Sequence, residues 1–161
     1  MVDVGLMLGM LMHSQCNNLI TGMFGNTWKT LNLPKRSVLS NVQTFYRLNG
    51  EVGYSTNGYK VLESLIAENK VVDKVLIFTD VQMWNSTNTN HTFAKSWAAY
   101  KRIAPHAKLY LFDLAGYGQQ PINMLQNDVY LMAGWSDKVF DMLHALEHSN
   151  SAVTEINKME V

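Results

Sequence analysis

The stretch VLIFTDVQMWN, residues 75–85, sets four apolar residues directly before Thr79-Asp80 and then turns abruptly polar. The apolar run is too short for a globular helix and is rich in β-branched and aromatic side chains. It reads as a strand buried on both faces that ends at Asp80. Ligands of open α/β sheets bind at the carboxyl ends of the strands, which makes Asp80 a candidate site residue. A cap on the following turn accounts for the same carboxylate equally well.

Outward from this strand the second half of the chain keeps a strand-then-helix rhythm. QMWNSTNTNHT is a long polar connection, Phe93 to Ile103 carries helical spacing, and Pro105 marks its end. AKLYLFDLAG (107–116) and NDVYLMAG (127–134) are two more buried strands, and Ser136 to Glu147 is a last amphipathic helix with Ser136-Asp137 as its N-cap. Strands separated by helices imply right-handed crossovers and a parallel sheet.

The first half differs. Residues 3–15 are apolar nearly all round, as in a helix packed on several sides, and five of the ten methionines fall within the first 23 residues. LITGMFG and TWKTLNL flank Gly25-Asn26, a two-residue hairpin signal. Pro34 ends the second strand, and Ser37 is placed to cap a helix over 38–48. NGEVGYSTNG (49–58) is a loop, and Tyr59 to Asn69 is helical, with Val61, Leu62, Leu65 and Ile66 on one face.

Length and composition set the bounds. A chain of 161 residues with 47% hydrophobic and 11% aromatic residues is one domain with a real core. Thirteen basic against thirteen acidic residues give no net charge, which argues against nucleic-acid binding by charge alone. The single cysteine, Cys16, excludes an internal disulfide and reads as a buried small apolar residue of a reducing compartment. The apolar N-terminal stretch lacks a basic flank, has Asp3 ahead of it, and is too short to span a bilayer. A cytoplasmic protein without membrane contact is expected. The sequons at Asn85 and Asn90 then mark only a polar loop.

In order and spacing, the apolar helix, the hairpin, GYSTNG (53–58) and VLIFTD (75–80) resemble the von Willebrand factor A domain. GWSDKVFDML (134–143) is similar to the closing helix of the A-type domain at the C-terminus of Ro/TROVE ribonucleoprotein-like proteins. The resemblance implies a three-layer, Rossmann-like open sheet with helices on both faces, mostly parallel with one antiparallel hairpin strand. It covers residues 1–148 and leaves 149–161 as a polar tail.

The resemblance also implies a metal-ion-dependent adhesion site for Mg²⁺, a hard cation that takes hydroxyl and carboxylate oxygens. Thr56 matches the family's loop threonine and Asp80 its late aspartate, with Ser55, Asn57 and Asp113 on the rim. A partner protein's carboxylate would complete the coordination, so that the metal serves recognition. The family's Asp-x-Ser-x-Ser segment does not occur in this sequence. Weak Mg²⁺ binding or none is therefore expected. The chain reads as part of a longer protein whose upstream region would carry the small non-coding RNA. A metal-free scaffold domain and an unrelated nucleotide-binding α/β domain are the competing readings.

The family's first strand, which is central in its sheet, has no counterpart here. The gap between the strands at 19–25 and 75–79 would be closed either by these strands moving together or by a strand from another chain or a retained upstream peptide. Exposed sheet edges also make a homo-oligomer possible.

The other chemistry-bearing residues read as structural. His13 is a packed or hydrogen-bonded histidine of the first helix, and with Cys16 at i, i+3 it makes a poor nucleophile and base pair. The remaining histidines are scattered. Trp84, Trp97 and Trp135 suit core and rim packing. No nucleophile elbow, phosphate loop or dinucleotide fingerprint occurs, and catalysis is not expected.

Overall fold

A computed structural model describes residues 2–35, 37–79, 93–115, 128–134, 138, 141, 143 and 144. Helix α1 (Val2–Gln15) leads into the strands β1 (Thr21–Phe24) and β2 (Trp28–Leu31), followed by α2 (Val38–Arg47) and α3 (Tyr59–Ala67). Then come β3 (Lys74–Thr79), α4 (Phe93–Ile103), β4 (Lys108–Asp113) and β5 (Val129–Ala133). Strands β3, β4 and β5 form a parallel sheet in that order, with Leu76 opposite Tyr110 and Leu111 opposite Leu131.

The period-2 alternation of strand side chains sorts this sheet into two buried faces. Val75, Ile77, Leu109, Leu111 and Val129 face α3 and α4, where they meet Leu62, Leu65, Trp97 and Tyr100. Leu76, Phe78, Tyr110, Phe112 and Met132 face the other way, toward Met12 of α1 and Leu143. Because both faces are covered, β4 is buried from Leu109 through Asp113, and its sequence can be a continuous apolar run.

Gly5 lets helix α1 lie close to the sheet. A Cβ at Gly5 would meet Leu114 Cδ1 at 2.3 Å and Phe78 Cβ at 3.3 Å, and one at Gly9 would touch the Phe78 ring. On its other side α1 buries Leu6 and Met10 against Leu33, with Val38, Val42 and Phe45 of α2 packed around them. The expectation of a helix packed on several sides holds.

The antiparallel pair β1–β2 is a sheet of its own. Thr21 pairs with Leu31 and Phe24 with Trp28, and no ladder joins β1 to β3 among the described residues. Closure by the flanking strands moving together is therefore not what the molecule does. The two-residue turn expected at Gly25-Asn26 is also corrected. Phe24 opposite Trp28 leaves three residues in the connection, and Gly25 and Asn26 are not among the residues with positive φ that a two-residue turn of type I′ requires. Asn26 N–H and Thr27 N–H instead both donate to Val52 O, at 2.6 and 3.2 Å, so the turn is shaped by the loop beside it.

The ends of the helices agree with the sequence reading to within two residues, and Ser37 occupies the N-cap of α2, although its side chain makes no cap hydrogen bond. The helix expected over 136–147 falls largely outside the described residues, as do the sequons, Trp84, Trp135, His91, His148 and the tail from 149.

Candidate functional site

Between β1 and β3 lies a cavity of about 1100 Å³, walled by Thr21–Phe24 on one side and Lys74–Thr79 on the other. Gly5, Gly9 and Met12 of α1 contribute to its lining, and Tyr54, Ser55 and Thr56 line it from the loop ahead of α3.

That loop is fixed by backbone chemistry. Gly53 has φ +77, and a Cβ there would meet the Asn26 side chain at 2.5 Å, so glycine is required for both conformation and space. The Asn26 carboxamide oxygen accepts from Ser55 N–H at 3.1 Å. Thr56 O accepts from Gly58 N–H at 2.9 Å and Asn57 O from Lys60 N–H at 3.0 Å, which starts α3. The hairpin turn and the loop are thus one unit that holds Ser55 and Thr56 at the cavity. Tyr54, 82% exposed, stands beside them.

Thr79 ends β3 opposite Asp113 at the end of β4, and Leu114 N–H donates to Thr79 O at 2.8 Å. Asp113 is 1% exposed, and its carboxylate accepts from Ala115 N–H at 3.0 Å, a turn cap of the kind aspartate makes two residues along its own backbone. Asp80 lies outside the described residues. Its neighbour Thr79 lines the same cavity as Thr56, while Asn57 serves the start of α3. Among the described residues no group of three His, Cys, Asp or Glu side chains comes together to hold a metal ion. The oxygens that the described part brings to the cavity from Ser55, Thr56 and Thr79 are hydroxyls.

His13 is 6% exposed and makes two hydrogen bonds. Its Nδ1 pairs with Thr21 Oγ1 at 2.8 Å and its Nε2 with Leu33 O at 2.9 Å. A carbonyl can only accept, so Nε2 carries a proton, and the ring ties α1 to both strands of the hairpin region. Cys16 is only half-buried, which corrects the expectation of a core residue; the helix has ended, and Met12 O takes the Cys16 N–H at 3.0 Å. Trp97 is fully buried core, within the packing role expected of it, whereas His106 and His144 are exposed.

The opposite edge of the sheet carries a network that sequence reasoning missed. Tyr100 OH donates to Lys70 O at 3.1 Å and accepts from Val72 N–H at 2.9 Å. Burial pushes its phenol pKa above the usual value, partly offset by the Val72 N–H. Lys101 bonds Ala107 O at 3.0 Å, pairs with Asp128 and lies over the Trp97 ring at 5.8 Å. An aromatic and a lysine in the last turn of a helix carry no distinctive motif, so only the fold reveals this role.

No protein-family model and no curated protein matches this sequence. No helix among the described residues is long and apolar enough to cross a membrane. In a comparison of folds, the crystal structure of the Ro (RSR) protein of Deinococcus radiodurans superposes with a TM-score of 0.68 at 14% sequence identity. The match covers 88% of this chain and 29% of the Ro chain, so the chain is similar in fold to a segment of that protein and spans less than a third of its length.

Proposed function

We propose that this chain is a non-enzymatic, von Willebrand A-type recognition domain of a Ro-like, RNA-binding ribonucleoprotein, acting in the cytoplasm. The observation that carries the reading is the fold similarity to the Ro protein over 88% of the chain, which meets a sequence resemblance reached through GYSTNG and VLIFTD. Under this reading the face around Thr56 and Asp80 contacts a protein partner, with Ser55, Asn57 and Asp113 nearby, and RNA is bound by an upstream region of a longer parent protein.

A complete site of this type holds Mg²⁺ and lets a partner carboxylate finish its coordination. The described donors here are neutral hydroxyls, Asp80 lies outside the described residues, and Mg²⁺ gives up its waters reluctantly, so the proposal for this chain alone is weak Mg²⁺ binding. The test is a titration of isotope-labelled protein with Mg²⁺, then with an acidic peptide, following the backbone amides. Shifts confined to Tyr54–Gly58 and to Asp80, reaching saturation only at millimolar Mg²⁺ and enhanced by the peptide, are expected. Peptide binding at a different face, or binding here that ignores Mg²⁺, overturns the metal-assisted reading. An apolar scaffold without a site would respond to neither ligand.

A further inference from the structure

We infer that Tyr54 is the anchor by which the face around Thr56 selects its partner, an acidic segment that carries an apolar side chain next to its carboxylate. The inference rests on the recognition reading above and adds what the partner presents beside the acid. Tyr54 is 82% exposed, the most exposed of the large hydrophobic side chains among the described residues. A lone exposed aromatic needs no explanation in general. This one differs because it is held. Gly53, in the left-handed region at φ +77, and Ser55, whose N–H donates to the Asn26 carboxamide, fix the backbone on either side of it. The phenol end of the ring rests against Gly50, where a Cβ would meet Tyr54 Oη at 3.0 Å and Cζ at 3.5 Å. Gly50 is itself tied to the loop, since its carbonyl accepts from Gly53 N–H at 3.1 Å.

A ring fixed in this way offers a large contact area and loses little freedom when a partner covers it, which is why tyrosine is enriched among the residues that dominate binding energy. Charge decides what covers it. From Val52 to Gly58 the loop has no carboxylate, ammonium or guanidinium group. The charged residues that flank it neutralise each other, Glu51 with Lys29, and Lys60 with Glu63 at 2.8 Å. An anion over the ring meets its negative face, and a cation finds no carboxylate there to compensate for its lost water, so the loop favours an apolar side chain. Thr56, two residues on, lines the same cavity as Tyr54, so the acid and the apolar group belong on neighbouring positions of one partner segment.

Three peptides test the anchor, alike except for Leu, Ser or Lys after a single Glu, each titrated into isotope-labelled protein with and without millimolar Mg²⁺. The Leu peptide is expected to bind about tenfold tighter than the Ser peptide, the contribution of one partly buried aliphatic side chain. Tyr54→Ala is expected to bring this ratio close to one, and Tyr54→Phe, which keeps the ring, to preserve it. Both variants are expected to keep the amide spectrum of the free protein outside residues 50–58, because so exposed a side chain supports little packing. Equal binding of the Leu and Ser peptides by the unaltered chain, a Leu preference that survives Tyr54→Ala, or a preference for Lys overturns the anchor and leaves the recognition reading standing. A Leu preference that depends on Tyr54 but ignores Mg²⁺ keeps the anchor and removes the metal from that reading. Amide shifts from none of the peptides overturn both.

Discussion

Strands β1 and β4 are both short and each is followed by a turn, yet β4 is buried from Leu109 to Asp113, while in β1 only Met23 is. The difference lies in their neighbours. Strand β4 has a paired strand on each edge and helices against each face, whereas β1 has one partner and one cavity. Burial here follows from position in the sheet. Glycine and threonine are consequently tolerable in β1, while every residue of β4 after Lys108 must fit a closed interior.

Tryptophan puts this contrast to its strongest test, because the same side chain occurs in both regions. Trp97 is fully buried under the parallel sheet, and Trp28 lies across Gly22 of the hairpin, half-buried. Trp97→Ala is expected to destabilise the fold by about 3–5 kcal/mol, and Trp28→Ala by about 1–2 kcal/mol, since less contact is lost where neighbours are fewer. Urea unfolding of the two variants measures both; equal losses would mean that the hairpin is as tightly built as the parallel sheet. His13 tests the joint between the regions. His13→Ala leaves Leu33 O and Thr21 Oγ1 without their buried partner and is expected to cost about 2 kcal/mol. The loss should appear first as faster amide exchange in β1 and β2, with β4 unchanged; uniform acceleration would contradict a joint that serves the hairpin.

The smallest effect is expected at the amino edge of the parallel sheet. Burial raises the Tyr100 pKa, so the folded state holds the phenol proton more tightly than the unfolded chain does. The resulting stability is fully present below the ordinary tyrosine pKa of about 10 and is lost as pH rises through the folded value. Tyr100→Phe removes this titration and is expected to flatten the alkaline slope of a pH-stability curve; an unchanged slope would assign it to other groups.

These contrasts also mark what the sequence disclosed. The Phe93–Ile103 helix and the Val75–Thr79 strand were legible because periodicity and run length are local properties, fixed by the residues themselves. The turn at Gly25-Asn26 was not, because Val52, far along the chain, supplies the acceptor that shapes it. The separation of β1 from β3 was equally hidden: strand pairing between distant segments leaves no local pattern. At the candidate site the loop position of Ser55 and Thr56 was readable from its glycines, but their common cavity with Thr79 depends on how two sheets stand together. At Asp113 residue type left a turn cap and a place on the site's rim open alike, and the bond from Ala115 N–H shows the first without testing the second.

The glycines of α1 also bear on assembly in time. Gly5 and Gly9 fit against Phe78 and Leu114, partners that a ribosome adds long after the helix itself. Contacts of such sequence separation form slowly. An apolar helix with its small-residue face uncovered must therefore wait until β3 and β4 have been made, and during that interval the nascent chain exposes apolar surface that is prone to aggregate.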